Sequence, residues 1–129
     1  MIINFKLFEK LSKPLIAEVA EEIIDMVNNY TFQDSDSDDI DECPFATEIA
    51  LIHQKDYIDS LYWNSTDVQP NISLKDFKSI YNALLKKAKT TILNSIMNNP
   101  NLYNQWEEWI DTDFIEIPDW IIKASKYNL

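Results

Sequence analysis

The chain has 129 residues, a net charge of −11, and 46% hydrophobic and 12% aromatic residues. That length suits a single domain spanning residues 1–129, and the apolar share is ample for a core, which argues against a wholly disordered chain. Glycine is absent and all eleven basic residues are lysines, which excludes the glycine-dependent Walker, Rossmann and nucleophile-elbow motifs and argues against a direct reader of nucleic acid, since phosphate and base-edge recognition lean on arginine.

Residues 1–11 combine a strand-like alternation at Ile3, Phe5 and Leu7 with helix-like spacing at Phe8 and Leu11. A helix is expected there, because no partner strand is evident. This start lacks the basic and apolar regions of a signal peptide, and no apolar run approaches the ~20 residues of a membrane span. A cytoplasmic protein is expected.

Ser12 and Pro14 mark a helix start, with Ser12 as N-cap. Ile16, Val19, Ala20, Ile23, Val27 and Tyr30 then recur at helical spacing, opposite Glu18, Glu21, Glu22 and Asp25. The pattern predicts an amphipathic helix over about 13–30.

An acidic loop is expected at about 31–43. Six of the nine residues from Asp34 to Glu42 are acidic: Asp34, Asp36, Asp38, Asp39, Asp41 and Glu42. Asp34, Asp36 and Asp38 match positions 1, 3 and 5 of an EF-hand loop. The glycine of position 6 is replaced by Asp39, and the bidentate glutamate of position 12 by Phe45. A calcium site therefore fails on two counts, which leaves a solvated loop or a surface for a basic partner.

Pro44 favours a new helix start, followed by apolar Phe45, Ile49, Ile52, Ile58, Leu61 and Tyr62. The spacing slips near Asp56, so a kink or break is expected within 45–63. Asn64 to Asn71, with Pro70, reads as a turn. Ser73 and Asp76 then open the clearest helix, about 74–98, as in a capping box. Its stripe is Phe77, Ile80, Tyr81, Leu84, Ala88, Ile92 and Ile96. Lys75, Lys78, Lys86, Lys87 and Lys89 make it the one basic element, and its charge is expected to pair with the acidic helix at 18–25. Asn98-Asn99-Pro100 ends it. A short helix over Asn101 to Ile110 and a last helix opened by Pro118 complete an all-α fold, a compact bundle of about five helices.

No catalytic constellation emerges. Cys43 is the single cysteine and His53 the single histidine, and neither sits in a nucleophile or zinc motif. The pairs Glu21-Glu22 and Glu107-Glu108 are read as ionised, solvated side chains rather than an acid/base couple. Neither an enzyme nor a metal or cofactor site is expected. Trp106 and Trp109 share a helix face, which suits the core. With Glu107 and Glu108 beside it, Trp106 can alternatively anchor an interface.

Dense negative charge costs stability, a few tenths of a kcal/mol for each like-charged pair at helical spacing. The simplest compensation is a basic protein partner, because complementary charge accelerates association and rejects wrong partners. A small, acidic, motif-free domain of this kind resembles a bacterial toxin immunity protein of the contact-dependent growth inhibition type, in character and not in any signature. The resemblance implies a monomeric inhibitor of a basic toxin, often a nuclease acting on tRNA or DNA, whose cleft the acidic surface covers in place of phosphates. The candidate partner-binding residues are Asp34, Asp36, Asp38, Asp39, Asp41 and Glu42, backed by Glu18, Glu22 and Asp25, with Trp106, Glu107 and Glu108. An acidic nucleic-acid mimic of phage origin and a helical adaptor or chaperone are the alternatives.

Overall fold

The fold was obtained as a computed structural model, which describes residues 12–32 and 42–126. The helix expected over 1–11 and most of the acidic stretch lie outside the described residues. Among the described residues there are six α-helices and no strand: α1 (Lys13–Phe32), α2 (Ala46–His53), α3 (Ile58–Asn64), α4 (Leu74–Asn98), α5 (Asn101–Trp106) and α6 (Asp119–Lys126). The protein is all-α, as the periodicity predicts.

Local chemistry sets most of the boundaries. The Ser12 hydroxyl accepts from the Leu15 amide at 3.2 Å and so occupies one of the amides that a helix start leaves without a partner. Ser73 does the same for α4, accepting from the Asp76 amide at 3.2 Å. Pro118 lies just before α6, and its carbonyl accepts from the Ile121 amide at 3.0 Å. The irregularity foreseen near Asp56 is a real break. α2 ends at His53, a 3-10 turn covers Lys55–Tyr57, and α3 resumes at Ile58.

α2 is the centre of the molecule. Ile49, Ala50, Leu51 and Ile52 are consecutive and all buried. Four successive helical residues point in every direction, so this helix must be enclosed rather than lie on a surface. It packs between α1 and α4, which also touch each other. α1 supplies Val19, Ile23 and Val27, and α4 supplies Phe77, Ile80, Tyr81, Leu85, Ala88, Ile92 and Ile96. Leu84, expected in the α4 stripe, is half-buried beside the core, and its neighbour Leu85 takes the inner position. Each fully buried aliphatic or aromatic side chain here contributes about 1.5–3 kcal/mol of transfer free energy.

The second half of the chain attaches to this three-helix centre. α3 lies on α4, α5 reaches α4, and α6 packs on α5. Polar side chains tie down the irregular parts. The Tyr62 hydroxyl donates to the Ile72 carbonyl at 2.7 Å, which closes the loop between α3 and α4. The Gln69 amide donates to the Tyr62 and Trp63 carbonyls at 3.0 and 2.7 Å, and so satisfies the end of α3. The expected short helix over Asn101 to Ile110 stops at Trp106. The chain then continues in turns, with the Trp109 amide donating to the Trp106 carbonyl at 2.9 Å. That change of direction separates the two tryptophans.

Candidate partner-binding surface

The predicted interface residues fall into three groups. Asp34, Asp36, Asp38, Asp39 and Asp41 lie outside the described residues. Glu42 is described and exposed. On α1, Glu18 and Asp25 are exposed and Glu22 is half-buried. These three follow at spacings of four and three residues, so they share one side of the helix, away from Val19, Ile23 and Val27. Glu107 and Glu108 are exposed in the turn after α5, whereas Trp106 is 3% exposed. The Trp106 indole belongs to the core and offers almost no surface to a partner. Among the described residues no acceptor reaches its N–H.

The lysine helix does not meet the acidic face of α1. Lys78 instead pairs with Asp59 of α3 at 2.9 Å, on the surface. Among the described residues no lysine reaches ion-pairing distance of Glu18, Glu21, Glu22 or Asp25. The expected pairing fails because α1 and α4 meet through their apolar stripes, which turns their charged faces outward in different directions.

His53 has a structural place. It ends α2, and its Nε2 lies 2.9 Å from the Trp109 carbonyl. A carbonyl only accepts, so Nε2 carries the proton. The His53 ring stacks on Trp109 at 6.2 Å, and Phe32 meets the same indole edge-on at 5.8 Å. Trp109 thus pins the turns after α5 to the ends of α1 and α2.

This junction frames a cleft of about 400 Å³. Tyr30 and Thr31 of α1, His53 and Gln54 at the end of α2, and Asp56 and Tyr57 of the 3-10 turn form much of its wall. Asp111 and Phe114 line it from the segment beyond Trp109. Tyr30 and Tyr57 are 46% and 58% exposed. The Lys55 ammonium stands 3.8 Å from the centre of the Phe114 ring and 3.7 Å from Asp56 Oδ1. Nothing in the sequence points to this cleft. Tyr30 reads there as the end of an apolar stripe, and Asp56 only as a break in periodicity. Asp111 is separated from both by more than fifty residues.

Comparison with protein-family models, with curated proteins and with solved structures returned no match to this chain. Among the described residues no helix is long and apolar enough to cross a membrane.

Proposed function

We propose that this protein is an acidic immunity or inhibitor protein that binds and neutralises a basic protein toxin, a nuclease domain of the kind deployed in contact-dependent growth inhibition. One observation carries the reading. The negative charge is not neutralised within the fold: the carboxylates of α1 stand on its outer side with no lysine paired to them among the described residues. At −11 overall, the field favours cationic macromolecules and repels nucleic acid itself. The acidic stretch from Asp34 to Glu42 is joined in sequence to the end of α1 and extends the same charge.

Such a surface suits rapid capture. Electrostatic steering raises association rates toward about 10⁸ M⁻¹s⁻¹ at low salt. An inhibitor of a nuclease inside its own cell gains most from that speed. The test is co-expression with the product of the adjacent upstream gene. A stable complex is expected, with loss of the partner's nuclease activity and an association rate that falls steeply with ionic strength. A neighbour that is not basic, is not captured, and is as active with this protein as without it overturns the reading.

A further inference from the structure

We propose that the cleft between the ends of α1 and α2 and the Asp111–Phe114 segment is the pocket that receives an arginine side chain of the basic partner. This rests on the reading of the protein as a binder of a basic protein, and adds where a single cationic side chain is held.

Hydrogen-bonding capacity points to the ligand class. Part of the donor capacity of the cleft's polar side chains is used inside the fold. His53 Nε2 gives its proton to the Trp109 carbonyl, and Gln54 Nε2 donates to Thr31 Oγ1 at 3.1 Å. Gln54 keeps a second N–H and Thr31 its hydroxyl proton, and acceptors remain at Gln54 Oε1 and, in the neutral ring, His53 Nδ1. Asp56 and Asp111 add carboxylates. One Asp111 oxygen accepts from the Asp113 amide at 3.0 Å, which leaves the second oxygen and its lone pairs. The tyrosine hydroxyls serve in either role. With two carboxylates in the lining, a ligand that brings donors and positive charge fits this set.

The aromatic walls narrow the class further. Tyr30 and Tyr57 both line the cleft and are about half exposed, and ring faces attract cations. The protein already uses this chemistry at one edge, where its own Lys55 ammonium rests between the Phe114 ring and Asp56. Two carboxylates against that single ammonium leave the cleft net negative. A guanidinium suits the remainder better than an ammonium. It is planar, stacks on aromatic rings, and presents five N–H groups to several acceptors at once.

The experiment has two arms. In the first, the full chain is titrated with N-acetyl-arginine amide and followed by NMR. Saturable shifts are expected at Tyr30, Gln54, Tyr57 and Asp111, and none with the neutral isostere N-acetyl-citrulline amide. Tyr57→Ala and Asp111→Asn should each weaken the response about tenfold. Both variants should fold, because Tyr57 is largely exposed and asparagine can still accept from the Asp113 amide. Shifts that are absent, or identical for arginine and citrulline, overturn the pocket. In the second arm the same variants are tested against the captured basic partner. A tenfold faster dissociation is expected. Unchanged dissociation from a partner that is still captured overturns the pocket and leaves the inhibitor reading standing. Failure to capture any basic partner overturns that reading, while the titration still decides whether the cleft holds a guanidinium.

Discussion

Cys43 shows how burial sets the chemistry of a single side chain. It lies just before the proline that precedes α2, and it is 7% exposed. Burial pushes its thiol pKa up, a backbone hydrogen bond at Phe45 pulls it part of the way down, and the charge of Glu48 raises it again. The thiolate is the reactive form, and it is both scarce and shielded here. The native protein should therefore react with a disulfide reagent at pH 8 at least about tenfold more slowly than a free thiol, and at the ordinary rate once unfolded in urea. Equal rates in the two states would mean that the segment before α2 opens readily. The sequence shows only a lone cysteine in acidic surroundings. Its burial follows from Phe45 and Ile49, which fix how α2 enters the core.

At the level of elements, Tyr81 links the central helix to the longest one. Leu51 lies in the last turn of α2, where carbonyls run out of helical amide donors. The Tyr81 hydroxyl, fully buried on α4, donates to the Leu51 carbonyl. Tyr81→Phe should cost about 1–3 kcal/mol, because a buried acceptor loses its partner. Burial, with a smaller contribution from the charge of Asp56, raises the Tyr81 pKa well above its ordinary value. The neutral phenol is thus favoured in the folded state. The unfolded chain releases this proton near pH 10, so the stabilisation is complete below that pH and is lost as pH rises above it. Urea unfolding between pH 10 and 11 should show a decline in stability that is shallower in Tyr81→Phe by up to about 1.4 kcal/mol per pH unit. Parallel declines would show that the phenol ionises as easily in the folded state.

Element boundaries were largely legible in the sequence, because they depend on nearby residues. Ser12, Ser73 and Pro118 each act within one helical turn, and α4 runs over the residues its stripe predicts. The break near Asp56 was legible as a slip in spacing. What was not legible depends on how helices pack against one another. Lys78 finds Asp59 rather than the acids of α1, and Tyr30, Asp56 and Asp111 converge on one cleft. Periodicity assigns a residue to a face of its own helix. It carries no information about which distant side chain stands opposite.

At the scale of the whole molecule, the acidic face of α1 trades stability for attraction. Glu18, Glu21, Glu22 and Asp25 form four pairs at spacings of three or four residues, and each like-charged pair opposes the helix by a few tenths of a kcal/mol. No lysine relieves them among the described residues. Glu18→Gln, Glu22→Gln and Asp25→Asn combined should therefore raise stability by roughly 1 kcal/mol at low salt. Adding 1 M sodium chloride to the unaltered protein should recover part of the same gain, since the Debye length falls to about 3 Å. The same three changes should slow association with the basic partner and flatten its salt dependence, with little effect on dissociation. Greater stability together with slower capture is the signature of charge retained for binding against the interest of folding. Greater stability with unaltered capture would place the interface elsewhere and leave the charge of α1 without a role in recognition.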